Sequence, residues 1–115
     1  MPQGKRPSRV SEEFREVLAE EIPKLKDPRV GFVTITGVRV TPDLRHAVVL
    51  YSALGDEAAR RATRAGLRSA AGHLRSVIGH EVRLKFLPDL EFEEDNTPEQ
   101  AQRVEELLRE ARKRE

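Results

Sequence analysis

Arginine recurs along one stretch of the chain at spacings suited to binding phosphates. Residues 57–78 carry a helical pattern, and four arginines follow one another in it at intervals of three, four and seven: Arg61, Arg64, Arg68 and Arg75. These intervals place the side chains on one stripe of a helix. Because a guanidinium offers paired donors to a phosphate, the stripe predicts binding to RNA. The other candidate contacts are Lys5, Arg6 and Arg9 in an N-terminal arm, Ala70 and Gly72 within the helix, and Arg83 and Lys85 after it.

A glycine interrupts this helical pattern in the run SAAGHLR, residues 69–75. Glycine in a helix interior costs roughly 0.5–1 kcal/mol relative to alanine, so a compensating role is expected. Gly72 lies four residues after Arg68 and three before Arg75, which places the missing side chain on the basic surface. One interpretation is a kink whose bare backbone lets a phosphate or sugar approach closely. The other is that Gly72 only lets the helix wrap a small core.

Charge is unevenly distributed although the net charge is only +1. Residues 60–85 hold seven arginines and lysines and one glutamate, whereas residues 86–106 hold eight acidic residues and one arginine. This asymmetry favours a basic face for a polyanion and an acidic face turned away from it. The alternative is that the two segments pair with each other inside the folded chain.

The sequence offers little to support catalysis. It has no cysteine, no nucleophile-elbow motif and no phosphate-binding loop. The histidines lack a metal-binding spacing, and acidic residues alternating on a strand usually form a solvated face. We therefore expect no enzyme activity, no metal and no cofactor. The histidines are His46, His73 and His80.

Aromatic residues are too few to suggest base stacking as the main mode of recognition. Four phenylalanines fit core positions, and only Tyr51 remains; the four are Phe14, Phe32, Phe86 and Phe92. Contacts to the backbone and shape of structured RNA are the better expectation.

The length of 115 residues suits one domain. We expect a loose basic arm over residues 1–8, a domain over residues 9–111 and a short loose tail over residues 112–115. The absence of cysteine, of an export signal and of an apolar run of about 18 residues favours a cytoplasmic protein without membrane contact. We also expect the protein to be a monomer.

Hydrophobic periodicity predicts an α+β fold with the order α-β-β-α-β-α. The first predicted elements are a helix over 10–25 interrupted by Pro23, a strand over 32–40 with a bulge at Gly37, and a strand over 44–53. The run from Ala47 to Tyr51 in the second strand is apolar on both parities, as expected for a strand covered on both faces. Then follow a helix capped by Asp56, running to Ile78 and closed by Gly79, a strand over 81–94 that is irregular at Pro88, and a helix starting at Thr97-Pro98. In the third strand Val82, Leu84 and Phe86 are expected to face one way, with Arg83 and Lys85 on the other face.

Three runs resemble the ribosome-binding factor A family of bacteria. They are DPRVGFVTITGVRVTPDLRHAVVLYSALGD, LRSAAGHLRSVIG and LEFEEDNTPEQAQRVEELL, and the resemblance covers about residues 5–110. It implies a single-domain type II KH-like fold, with a three-stranded sheet packed by helices. An Ala-x-Gly kink, at Ala70, Ala71 and Gly72, would replace the usual glycine loop. The chain departs from the family pattern at Pro23 and at Asn96-Thr97.

The resemblance also implies a function. Members of the family bind the free small (30S) ribosomal subunit and its 16S rRNA, assist late maturation and rRNA processing, and are important in cold adaptation. They are not enzymes, and a GTPase often helps to release them. This expectation agrees with the RNA-binding stripe.

Two other functions remain open from the sequence. The acidic segment, residues 89–106, could dock a basic protein, in which case reversing Glu93 and Glu94 would do more harm than reversing the arginines. An RNA hydrolase is the third hypothesis. For the RNA-binding hypothesis, Arg64→Glu with Arg68→Glu is expected to abolish subunit binding and leave the fold intact.

Overall fold

Three helices and three strands form in the order α-β-β-α-β-α, as the hydrophobic periodicity predicts. The computed structural model describes residues 7–95 and 98–113, with side chains over 9–95 and 105–113. The elements are α1 (Pro7–Glu21) with a 3₁₀ turn (Ile22–Lys24), β1 (Val33–Val40), β2 (His46–Ala53), α2 (Glu57–Glu81), β3 (Asp89–Glu94) and α3 (Pro98–Lys113). The α+β class and the KH-like arrangement are therefore confirmed.

The central strand of the sheet is β2, which pairs antiparallel with β1 and parallel with β3. Helix α2 makes the connection that a parallel pair requires. One face of β2 packs on α1 and α2 through Ala47, Val49 and Tyr51. Its other face packs on α3, where Val48 meets Leu107. This two-sided burial explains why the strand is apolar at successive positions.

The bulge predicted at Gly37 is present. The register passes from Ile35 opposite Tyr51 to Gly37 opposite Leu50, so Thr36 has no partner across the ladder. The extra residue shifts the alternation of side chains in β1 by one position. Ile35 and Val38 are therefore both buried although three positions separate them.

The first helix differs from its predicted limits. Helix α1 begins at Pro7, so the last two residues of the expected arm are helical, and residues 1–6 lie outside the described part of the chain. The α-helical part ends at Glu21, and Pro23 lies in the 3₁₀ turn, since proline lacks the donor that would continue the helix. At the other terminus, α3 reaches Lys113, inside the segment expected to be loose.

Gly79 does not end α2, as the sequence suggested. The helix continues to Glu81, and the N–H of Val82 donates to the carbonyl of Ile78 at 2.8 Å. A Cβ at position 79 would collide with the side chain of Leu87. The glycine therefore makes room for the chain that returns over the helix, and it is not a cap.

The third strand is shorter than predicted. It begins at Asp89, and residues 82–88 form an irregular connection. Arg75 donates to the carbonyls of Leu87 and Pro88 at 2.9 and 3.0 Å, so these groups are satisfied without a neighbouring strand. The alternation that suggested a strand over 81–88 consequently assigned Arg83 and Lys85 to the wrong element.

Candidate nucleic-acid interface

Helix α2 is fixed at its start and along its inner face. The Asp56 side chain caps it by accepting from the N–H of Ala59 at 2.8 Å, as expected for an N-cap aspartate. Leu67, Leu74 and Ile78 are fully buried against the sheet. The outer face is thereby held toward solvent, and it carries the basic stripe.

Arg61, Arg68 and Gly72 share the outer face of α2. At about 100° per residue they fall within roughly 40° of one another, and all three are exposed. Within the described residues, neither arginine has a carboxylate within 4 Å. Both guanidinium groups are therefore available to a phosphate.

The surface at Gly72 is open. The α-helix runs through Gly72 without a break, and a Cβ built there would meet no atom of the described residues within 4 Å. Gly66, by contrast, packs against Val30, and a Cβ at position 66 would collide with the Val30 side chain. Packing within the chain thus requires glycine at 66 and not at 72. The position of the predicted kink, Ala70-Ala71-Gly72, therefore lies within a continuous helix.

Arg64 and its neighbour Arg60 turn toward β3. Arg60 Nε lies 3.1 Å from Glu94 Oε2, and Arg64 Nη2 lies 3.6 Å from Glu94 Oε1. The Glu94 side chain is only 9% exposed. The expectation that the acidic segment turns away from the basic helix is therefore wrong for Glu94, and internal pairing accounts for part of the charge asymmetry.

Arg75 is engaged with the connection before β3. Besides its bonds to two carbonyls, its Nε lies 3.8 Å from Asp89 Oδ1. Its guanidinium holds residues 87–88 against α2. The predicted stripe thus divides into two arginines, 61 and 68, that have no carboxylate partner in the described part of the chain, and two that also bind within the chain, 64 and 75.

A shallow groove of about 140 Å³ separates α2 from β3. Arg64, Arg68 and Ala71 form its helical wall, and residues 90–93 form the other. β3 is an edge strand in the described sheet, so its outer edge has no neighbouring strand there.

The remaining predicted contacts are dispersed. Ala70 is half-buried and packs against the core, away from Gly72. Arg83 and Lys85 are exposed beyond the end of α2, and Arg9 is exposed in the first turns of α1. Lys5 and Arg6 lie outside the described residues.

One cation beside the stripe was missed from the sequence. Arg29 lies in the Asp27–Gly31 turn, and its Nη2 donates to Ser69 Oγ on α2 at 3.1 Å. Thr63, which is buried, holds the turn by accepting from the N–H of Gly31 at 3.1 Å. The Asp-Pro-Arg sequence signalled the turn, but only the packing places it on α2.

Asp27 orients this arginine. The Arg29 side chain and N–H donate to its carboxylate and hold the pKa of Asp27 at about 2, below its ordinary value of 3.8. The pair is exposed, so its function is to orient the guanidinium more than to add stability.

Two of the four phenylalanines are not in the core. Phe14 is fully buried and Phe92 is half-buried, but Phe32 is 82% exposed and Phe86 is 46% exposed. Tyr51, taken as the free aromatic, is fully buried; burial raises the pKa of its hydroxyl, and Arg64 opposes that shift. The aromatic assignments made from the sequence are therefore wrong for three residues.

Other chemistries find no support in the described part of the chain. No group of three or more histidine, cysteine, aspartate or glutamate residues there could hold a metal ion. No helix in it is long and apolar enough to cross a membrane.

Relatives and solved structures agree on one family. The family model described as ribosome-binding factor A matches residues 6–108. The protein of that name from Geobacter sulfurreducens is 47% identical over 106 residues, which are 91% of this chain and 90% of that protein. The one from Acidothermus cellulolyticus is 47% identical over 93% of this chain and 72% of its own length.

Three structural neighbours carry the same name. The crystal structure of ribosome-binding factor A from Thermus thermophilus has a TM-score of 0.70 and 29% identity, covering 78% of this chain and 97% of that one. The solution structure of a putative ribosome-binding factor A from Thermotoga maritima has a TM-score of 0.72 and 34% identity, covering 86% and 95%. A homology model of the T. thermophilus protein, fitted into a cryo-EM map of its complex with the 30S subunit, has a TM-score of 0.58 and 34% identity, covering 72% and 88%. On the sequence and structural matches together, this chain belongs to the ribosome-binding factor A family.

Proposed function

We propose that this protein binds the free small ribosomal subunit and contacts its 16S rRNA through the outer face of α2. It then acts as a non-enzymatic factor in late maturation of the subunit, including rRNA processing, with its importance increasing in the cold. Membership of the family and the 30S complex of the T. thermophilus protein support this proposal. Such a role belongs in the cytoplasm.

The observation that carries the proposal is the arrangement of Arg61, Arg68 and Gly72. Arg61 and Arg68, which have no carboxylate partner among the described residues, precede Gly72 on one face of α2, and at Gly72 a sugar-phosphate chain can approach the helix backbone without meeting a side chain of that residue. Arginine forms paired hydrogen bonds to phosphate, and contacts of this type dominate the affinity of nucleic-acid complexes.

The test is co-sedimentation with free small subunits, large subunits and joined ribosomes at several salt concentrations. We expect selective binding to small subunits that weakens steeply with salt. Arg61→Glu with Arg68→Glu is expected to weaken binding at least tenfold. This double variant should also make the slope of log affinity against log salt less steep by about two, one for each phosphate that these arginines neutralise.

A matched control separates this effect from net charge. Arg109→Glu with Arg112→Glu makes the same charge change at exposed positions of α3, which covers the opposite face of the sheet. Circular dichroism checks that both variants fold. Equal binding by the two double variants would refute the assignment to α2.

The structure makes Arg64 a poor position for this test. It lies beside the largely buried Glu94, so Arg64→Glu would place two like charges together and disturb the packing. The pair Arg64 and Arg68 suggested by the sequence is therefore replaced by Arg61 and Arg68.

The acidic segment is less suited to docking a basic protein. Glu94 is paired with Arg60 and Arg64, and Asp89 lies near Arg75. A segment whose carboxylates bind within the chain presents less charge to a partner. Release with the help of a GTPase, which the resemblance implies, stays a proposal. So does a monomeric state, which sedimentation equilibrium would test.

A further inference from the structure

Phe86 is an exposed aromatic ring with two cations close to it. The Arg45 guanidinium carbon lies 4.2 Å from the ring centroid, and the Lys85 ammonium lies 5.7 Å from it. Arg45 comes from the turn before β2, whereas Phe86 and Lys85 come from the connection between α2 and β3. Two separate elements thus build one cationic aromatic surface.

Both elements are held in place by hydrogen bonds to backbone groups. The N–H of Asp89 donates to the carbonyl of Arg45 at 2.8 Å, which ties the turn to the start of β3, where the connection ends. Arg75 binds the carbonyls of Leu87 and Pro88, and Pro88 is buried. The surface is therefore largely formed before a ligand arrives, which lowers the entropic cost of binding.

The surroundings favour an anionic ligand with a flat apolar part. A shallow cavity of about 270 Å³ adjoins the ring and is lined by Arg45, His46, Arg75, Phe86, Leu87 and Asp89. Asp89 is the acidic residue of this lining, and Arg75 and His46 both lie within 4 Å of it. Arg83 adds an exposed cation to the same connection.

We propose that Phe86, backed by Arg45, is a stacking site for an unpaired nucleobase of the bound RNA, with Lys85 and Arg83 contacting the flanking phosphates. A base stacks on an aromatic face or on a guanidinium plane, and cations beside it neutralise the backbone. Arg75 is a positioning residue that fixes the connection. This inference rests on the proposed function, and it adds a base contact to an interface otherwise made with the sugar-phosphate backbone.

The site also lies within reach of an RNA strand bound on the outer face of α2. Gly72 and Glu81, the last residue of α2, are nine residues apart, or about 14 Å along the helix. A strand that crosses Gly72 can therefore reach the connection at residues 83–86.

The first experiment uses the lack of tryptophan in this chain. Phe86→Trp introduces a single indole, whose fluorescence reports stacking. We expect saturable quenching by single-stranded oligoadenylate at low salt and none by an abasic oligomer of the same length. Quenching by neither oligomer would overturn the proposal, because stacking accepts any base.

Affinities measured on the full chain give the second readout. Phe86→Leu keeps an apolar side chain without the π face, and it is expected to weaken oligoadenylate binding roughly fivefold to a hundredfold. Binding of the abasic oligomer should not change. Phe86→Trp should bind oligoadenylate about as tightly as the natural chain. Equal affinity of the Phe86→Leu variant and the natural chain would overturn stacking.

The outcomes also separate this inference from the proposed function. If Arg61→Glu with Arg68→Glu abolishes binding to small subunits but Phe86→Leu leaves oligoadenylate binding intact, only the stacking site fails. If the natural chain ignores small subunits, the proposed function fails. Displacement of oligoadenylate by an oligoglutamate peptide, with equally weakened peptide binding in Phe86→Leu, would reassign the surface to an acidic protein and overturn the inference.

Discussion

Replacing Gly72 with alanine separates the demands of folding from those of RNA binding. Among the residues that the structure describes, a Cβ at this position meets nothing within 4 Å, and the helix is continuous through it. Gly72→Ala should therefore raise the free energy of unfolding by the full helix-propensity difference, about 0.5–1 kcal/mol, with no steric cost to offset it. For a chain of this length that corresponds to an increase in melting temperature of roughly 2–5 °C.

The same substitution should weaken subunit binding. If the bare backbone at Gly72 admits a sugar or phosphate, a methyl group there will hold the RNA away from Arg61 and Arg68. We therefore expect a more stable protein with lower affinity for small subunits. Urea denaturation measures the first effect, and co-sedimentation measures the second.

Gly66→Ala is the matched control for stability. Its Cβ would collide with a methyl group of Val30 and lie 3.4 Å from the Val30 backbone nitrogen, so we expect a destabilisation of about 1–3 kcal/mol. A destabilised Gly72→Ala variant would refute the argument from open space and show that the helix needs glycine at that position. A stabilised Gly72→Ala variant with unchanged subunit binding would instead show that Gly72 does not lie in the RNA interface.

Two further predictions concern the Asp27–Gly31 turn. Thr63→Val should lower the free energy of unfolding, measured in urea, by about 1–3 kcal/mol, because the N–H of Gly31 would be left without its acceptor. Thr63→Ser should lower it less, and an equal loss in both variants would contradict this role of Thr63. The Asp27 carboxyl should titrate near pH 2 by NMR, and Arg29→Gln should move its pKa up toward 3.8. Because the folded-state pKa is the lower one, the stabilisation from this pair is complete above pH 3.8 and disappears as the pH falls through about 2. A midpoint near 3.8 in the natural chain would contradict the Asp27–Arg29 interaction.

Local patterns were sufficient to predict most of the fold. The periodicity of α2, the cap at Asp56 and the bulge at Gly37 depend on residues close in sequence, and the structure confirms them. The two-sided apolar run of β2 also predicted that both faces of the strand are covered. Where prediction failed, as at Gly79 and residues 81–88, the structure shows contacts between α2 and the chain that follows it: Leu87 packs on Gly79, and Arg75 binds the carbonyls of Leu87 and Pro88.

The sequence by itself determined the element order, the basic helix and the family resemblance, because each follows from residue types at fixed spacings. Only the tertiary structure decided which cations are available. The parallel pairing of β3 with β2 brings Glu94 beside Arg60 and Arg64, and it leaves Arg61 and Arg68 on the outer face. The fold likewise exposes Phe86 and places Arg45 over its ring, an interaction between residues from two separate elements. No periodicity within a single element could have shown either arrangement.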